Sequence, residues 1–213
     1  DAQESRGLGD VYKRQGQNRI IVSAGTNRMY TEEYIQSVLE KAEAGDFVLL
    51  QNEINMVGEI IRLSHEKGCR VVFNASPIPK NPEELPLELV DIFMVNELEA
   101  AALAGTSAEG DFRDILKALQ KKYPKAAIVM TLGKDGVLYG YKEEFYSHPI
   151  FKVNAVDTTA AGDTFCGYFL AALCAGKSVE MALREASAAS AMAVSAKGAA
   201  PSIPVHLSLI HIS

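Results

Sequence analysis

The sequence predicts an α/β protein with a doubly wound, mostly parallel sheet flanked by helices, and three observations carry that prediction. Short β-branched runs recur at Arg19–Ala24 (RIIVSA), Phe47–Gln51 (FVLLQ), Arg70–Asn74 (RVVFN), Ile92–Val95 (IFMV) and Ala127–Thr131 (AIVMT). Each is too apolar for a strand with one wet face, so they read as buried parallel strands. Segments of helical periodicity with their own start and stop signals lie between them. Finally, 213 residues with 48% hydrophobic and 23% charged side chains suffice to bury a sizeable core.

Taken in order, Thr31 caps a helix expected over Glu32–Glu43, and a second helix runs from Val57 to Lys67, ending before Gly68. Asn96 and Glu99 have capping-box spacing at the start of a helix over Glu97–Ala104, which Gly105 stops. Asp111 caps Phe112–Tyr123. The resulting β-α-β-α-β order is that of an open sheet whose ligands lie beyond the carboxyl ends of the strands. Val137–Tyr141 and Glu144–His148 flank a short polar turn and read as an antiparallel hairpin. Helices over Gly162–Ala175 and Val179–Ala196 follow. The sequence shows no internal repeat, low-complexity tract or linker. The ends differ from the middle: Asp1–Gln15 lacks apolar periodicity, and Leu207–Ser213 (LSLIHIS) is an abrupt apolar tail after Pro201 and Pro204. Both resemble translated vector or adapter sequence, which leaves 16–206 as the α/β domain.

Lys plus Arg number 21 against 27 Asp plus Glu, and the net charge of −6 disfavours nucleic acid or an anionic membrane as partner. An anionic ligand therefore needs a local site. Three cysteines, Cys69, Cys166 and Cys174, have no C-x-x-C spacing and read as buried free thiols in a reducing cytoplasm. No apolar run approaches the ~20 residues of a membrane helix, and no signal-peptide pattern is present.

The chemistry concentrates in Val156–Leu170, VDTTAAGDTFCGYFL. Ala160, Ala161 and Gly162 have almost no side chain, so amides at the start of the following helix can approach an anion, and the helix dipole adds partial positive charge there. The stretch reads as a phosphate or oxyanion cradle. Asp163 falls in the first helical turn, where a carboxylate can take a proton from an alcohol attacking a phosphoryl group. Asp157, on the strand side, is placed to ligate a cation together with backbone carbonyls. The same residues also suit a plain helix start, with Asp163 as a cap and Ala-Ala-Gly as close packing.

The run Asp157–Phe165 resembles the second signature of the ribokinase-like carbohydrate kinases, also called the phosphofructokinase B family, a D-T-x-A/G-A-G-D-x-F pattern. The resemblance extends from about Gly16 to Pro204, and VVFNASP, VDIFMVNELEA, VMTLGKDGVLYG and AMAVSAKGAAPSIP are most similar to the ribose-phosphorylating members. It implies ATP-dependent transfer of the γ-phosphoryl group to a sugar hydroxyl, D-ribose to ribose 5-phosphate. Another sugar or a nucleoside as substrate is the alternative, as is a nucleotide-binding remnant without catalysis.

Residue by residue, the resemblance implies that Asp163 is the general base that meets the substrate hydroxyl, and that the backbone of Ala160, Ala161 and Gly162 forms the anion hole. It implies a nucleotide loop at Thr131, Leu132, Gly133, Lys134, Asp135 and Gly136, where a plain turn is the other reading. Asn96 and Glu99 match an N-x-x-E motif that helps place Mg²⁺ and phosphate, and helix capping explains the same pair. Ser187 occupies a position lining the adenine pocket. A K⁺ site is implied at Asp157, Thr159, Ala193, Ala196, Gly198 and Ser202, a segment that also reads as a helix stop of Gly and Pro. Gln51-Asn52-Glu53 is similar to a strand end whose glutamate receives sugar hydroxyls. Asn52 departs from that pattern, and Asn74 ends the next strand. The family's first strand, Gly-Gly segment and lid, which supports a homodimer, have no counterpart before Gly16, so the resemblance implies a nucleotide and catalytic half with little activity of its own.

Overall fold

The computed structural model describes residues 24–205. The expected strand Arg19–Ala24, save its last residue, and the two terminal segments 1–15 and 207–213 lie outside the described residues. The chain divides into two compact units, one ending at Val90 and the other beginning at Asp91.

In the first unit, β1 (Phe47–Gln51) and β2 (Arg70–Asn74) pair in parallel, with Phe47 opposite Arg70 and Gln51 opposite Asn74. Val71, Val72 and Phe73 are fully buried, which is why β2 shows no apolar–polar alternation. Helix α1 spans Glu32–Leu39, with the Tyr34 amide donating to Thr31 Oγ1 at 3.3 Å. It ends four residues short of the expected Glu43 for a local reason. The Glu43 amide donates to Asp46 Oδ2 at 2.8 Å instead of continuing the helical ladder, and the Lys67 ammonium donates to the carbonyl of Leu39. Short polar side chains of this kind compete with helix for backbone amides. Helix α2 (Val57–Glu66) buries Val57, Ile60 and Ile61. Three short 3-10 turns, Gly25–Arg28, Pro82–Glu84 and Leu87–Leu89, carried no periodicity in the sequence.

In the second unit, β3 (Ile92–Asn96) pairs in parallel with β4 (Ala127–Thr131), and Asn96 stands opposite Thr131 at their carboxyl ends. The hairpin forms as expected: β5 (Val137–Tyr141) runs antiparallel to β4, and β6 (Glu144–His148) antiparallel to β5. Helix α3 (Glu97–Ala104) stops at Gly105, whose φ of 74° a side chain would resist. Helix α4 (Phe112–Lys122) starts where Asp111 Oδ1 accepts the Arg113 amide at 2.7 Å, and it buries Ile115, Leu116 and Leu119. Helices α5 (Ala161–Cys174) and α6 (Val179–Val194) pack on one another. Phe169 of α5 and Leu183 of α6 are buried, each contributing about 1.5–3 kcal/mol by leaving water. Small residues line α6, where Ala182, Ala186 and Ala189 are fully buried and let α5 approach closely. That packing sets where the first turn of α5 stands.

Candidate active site

The turn entering α5 has an unusual conformation for its residues. Ala160, the N-cap, has φ 64° and ψ 8°, a left-handed geometry that costs a non-glycine residue about 1–2 kcal/mol. The surroundings hold it there. Asp157 Oδ1 accepts the Thr159 amide at 3.0 Å and the Thr159 hydroxyl at 2.7 Å, while Oδ2 accepts the Gly198 amide at 3.2 Å. The amides of Val156 and Asp157 both donate to the carbonyl of Val194, at 2.7 and 3.1 Å. Inside α5, Ser190 of α6 donates its hydroxyl to the carbonyl of Ala161 at 3.0 Å.

Gly162 and Asp163 lie exposed in the first turn so fixed. Amides at the start of a helix have no acceptor within it, and they point with the positive end of the helix dipole. A Cβ at Gly162 would meet nothing within 4 Å, so the face of the turn at Gly162 is uncrowded, while the Ala161 amide is engaged by the Thr158 carbonyl at 3.3 Å. A cavity of about 590 Å³ runs from Asp163 and Thr164 along α5 to Lys177 and Glu185. Its far end is neutralised, since the Lys177 ammonium donates to both Glu185 oxygens at 2.6 and 2.8 Å. Tyr168, also on its wall, donates to the Pro204 carbonyl, and burial pushes its phenol pKa up. The Thr164 hydroxyl is buried and has no hydrogen-bond partner among the described residues.

The residues expected to hold K⁺ meet in part. Asp157, Thr159 and Gly198 are drawn together by direct hydrogen bonds. The Ala193 carbonyl accepts the Ala196 amide at 3.2 Å. Ser202 is 7% exposed and its hydroxyl is turned onto the Ala199 carbonyl at 2.8 Å, so its side chain closes a 3-10 turn. A loop of carbonyls beside a carboxylate suits a large, weakly hydrated cation, and the Ser202 hydroxyl, donating to Ala199, keeps its oxygen lone pairs.

At the ends of β3 and β4, Asn96 and Glu99 form a complete capping box. The Glu99 amide donates to Asn96 Oδ1 at 2.8 Å and the Asn96 amide to Glu99 Oε2 at 2.9 Å. Helix capping therefore accounts for both residues. Their hard oxygen donors also fit Mg²⁺, which keeps several waters and takes other ligands from substrate phosphates. No group of three or more His, Cys, Asp or Glu side chains able to hold a metal occurs among the described residues.

Next to Asn96, Thr131 donates its hydroxyl to the Val95 carbonyl at 3.4 Å, and the chain turns through Leu132, Gly133, Lys134, Asp135 and Gly136. Its two glycines differ. A Cβ on Gly136 would lie 2.2 Å from the His148 carbonyl oxygen, so the backbone of the hairpin demands glycine there. Gly133, at φ 52°, faces open space, and with exposed Lys134 and Asp135 it leaves the turn accessible. Ser187 lies half-buried on α6, one helical turn before Ser190.

In the first unit, Glu53 is exposed just beyond β1, and Gln51 pairs with Asn74 at the strand ends. Asn52, which departs from the family pattern, clamps this loop to the one after β2. Its amide donates to the Ser76 carbonyl at 3.0 Å and its side chain to the Pro77 carbonyl at 2.9 Å. Sequence reasoning missed Asn52 in this role, and it missed Val194 and Ser190. A backbone acceptor leaves no mark on the sequence, and a serine inside an alanine-rich helix has no pattern of its own.

Comparison with known proteins identifies the family and the fold. The model of the pfkB family carbohydrate kinases matches residues 3–206. The ribokinase of Haemophilus influenzae is 34% identical over 208 residues, covering 95% of this chain and 67% of the relative. Among solved structures, ribokinase from Thermotoga maritima superposes with a TM-score of 0.78 at 33% identity, covering 93% of this chain and 66% of that one. Arabidopsis thaliana ribokinase, solved in complex with ribose and ATP, gives 0.77 at 31% identity, with 93% and 65% covered. The chain thus spans about two thirds of the length of the relatives it matches. It has their mostly parallel α/β fold flanked by helices. By fold, signature and family match, the chain belongs to the pfkB family of carbohydrate kinases.

Proposed function

We propose that this chain carries the nucleotide and catalytic part of an ATP-dependent sugar kinase acting on D-ribose to give ribose 5-phosphate. The observation that carries the reading is the exposed Asp163 on the first turn of α5, lining the 590 Å³ cavity beside the helix N-terminus. The likeness to ribokinases, one of them complexed with ribose and ATP, supports the choice of substrates.

Asp163 accepts the proton of the sugar hydroxyl as its oxygen attacks the γ-phosphorus. The bond from that phosphorus to the bridging oxygen breaks in line, and ADP leaves. The amides following Ala160 stabilise charge on the transferring group, which is worth about 10²–10³-fold in rate for one well-aimed donor. The Thr131–Gly136 turn and Ser187 hold the nucleotide, and Glu53 receives sugar hydroxyls. Asn96 and Glu99 hold Mg²⁺, which supplies charge neutralisation on the phosphates when bound. Asp157, Thr159, Ala193, Ala196 and Gly198, with the side chain or backbone of Ser202, would hold K⁺, which would supply positive charge that organises the anion-hole backbone. We assign the complete enzyme to a homodimer. We assign the protein to a reducing cytoplasm; of the thiols expected to be buried, Cys69 and Cys166 are, whereas Cys174 lies exposed near the end of α5.

Calorimetry of the chain with ATP, Mg²⁺ and K⁺, followed by D-ribose, tests the reading. ATP heat followed by ribose-dependent ADP release is the result expected of a complete site. ATP heat with no response to ribose selects a nucleotide-binding part whose sugar contacts lie elsewhere, and no ATP heat overturns the nucleotide reading.

A further inference from the structure

Ser190 takes no part in the function so far described, yet it makes a tertiary hydrogen bond to the proposed anion hole. Its hydroxyl, half-buried on α6, donates to the Ala161 carbonyl at 3.0 Å across 29 residues of sequence. Ala161 is the first residue of α5, immediately after the left-handed Ala160 and before Gly162 and Asp163. A carbonyl at that position normally serves the helix ladder alone, so the second donor ties the first turn to a neighbouring helix. The other ties on this segment act from outside the helix: Gly198 and Thr159 on the Asp157 carboxylate, and Val194 on the amides of Val156 and Asp157. The Ser190 bond reaches from another helix into the turn whose amides would face the phosphate, where the local tie is the Ala161 amide donating to the Thr158 carbonyl at 3.3 Å.

We infer that Ser190 is a positioning residue: its hydroxyl, bonded to the Ala161 carbonyl, aligns the first turn of α5 so that the amides of Gly162 and Asp163 meet a γ-phosphoryl group. The inference rests on the ATP reading above. The hydroxyl touches no reacting atom. Its effect is on orientation, and α6, which also carries Ser187, transmits its own placement to the anion hole through this bond. ADP lacks the group that the hole receives, so loss of the bond penalises ATP selectively.

The test is titration calorimetry of the whole chain with ATP and with ADP, in Mg²⁺ and K⁺, for the unsubstituted protein, Ser190→Ala and Ser190→Thr. Circular dichroism melts check that each variant is folded. The expected result is that Ser190→Ala weakens ATP by about fivefold, one net hydrogen bond, while ADP affinity is unchanged. Ser190→Thr, which retains the hydroxyl, restores the preference. Equal weakening of both nucleotides, or no weakening, or failure of threonine to rescue, overturns the role of Ser190 alone. If the unsubstituted chain binds neither nucleotide, the ATP reading falls and the role of Ser190 falls with it.

Discussion

The second unit has two turns that we propose meet phosphate, and they are held in opposite ways. In Thr131–Gly136 the bonds that close the turn are local, although the Thr131 hydroxyl at its start also reaches the Val95 carbonyl. The Leu132 amide donates to the Gly136 carbonyl at 2.8 Å and the Asp135 amide to the Leu132 carbonyl at 2.9 Å, and both glycines take the positive φ the turn requires. In Asp157–Asp163 the residue at positive φ is an alanine, and the bonds reach across 29 residues to Ser190 and 41 to Gly198. A turn closed by its own amides keeps its shape wherever its ends are held apart correctly. One lashed by distant residues follows the elements that carry them, so the end of α6 governs the start of α5.

The largest effect expected concerns the chemistry of the second turn. Asp163→Asn keeps the size and the helix start but removes the proton acceptor, so kcat falls by about 10²–10⁴-fold while ATP affinity is retained. Sugar-dependent ADP release beside calorimetry measures both. A parallel loss of binding would make Asp163 a structural residue and erase the chemical difference between the turns.

The glycines of the first turn sharpen the contrast in stability. Gly136→Ala places a Cβ 2.2 Å from the His148 carbonyl oxygen at φ 96°, and a loss of about 3 kcal/mol is expected in urea unfolding. Gly133→Ala meets open space at φ 52° and costs only about 1 kcal/mol, with any further effect appearing in ATP affinity. Similar losses at both sites would mean that the turn tolerates no selective strain.

Asp157→Asn tests the long-range lash. It leaves an acceptor for Thr159 but offers a donor to the Gly198 amide, at an expected cost of about 1–2 kcal/mol. It also weakens ATP, and it removes the weakening that Na⁺ in place of K⁺ produces in the unsubstituted chain. Persistence of that ion effect in the variant would separate Asp157 from the cation. The smallest effect is at Ala160. Glycine relieves the left-handed alanine, and thermal unfolding is expected to show a gain of about 0.5 kcal/mol with unchanged ATP binding.

Elements were legible wherever apolar periodicity or a capping side chain at the helix start set them. The runs FVLLQ, RVVFN and AIVMT became β1, β2 and β4 with the expected ends, and Thr31, Asn96 and Asp111 each cap a helix through their own side chains. Helix α1 was read too long because the bond that ends it, from the Glu43 amide to Asp46, lies outside the apolar periodicity. The signature around Asp157 and Asp163 was legible as a family pattern, which marks where the chemistry sits without stating what holds it.

The sequence by itself determined the order of strands and helices, the capping residues, and the membership of Asp157, Ala160–Gly162 and Asp163 in one motif. Those follow from hydrophobic period, side-chain hydrogen bonding to nearby amides, and residue size. Only the tertiary structure decided that the Ser202 hydroxyl closes a turn, that Gly136 answers to the His148 carbonyl, and that Ser190 and Val194 hold the entrance to α5. The physical reason is that backbone carbonyls are the same in every residue. Which of them a distant hydroxyl or amide finds is settled by packing, here the close approach of α5 and α6 across their small side chains.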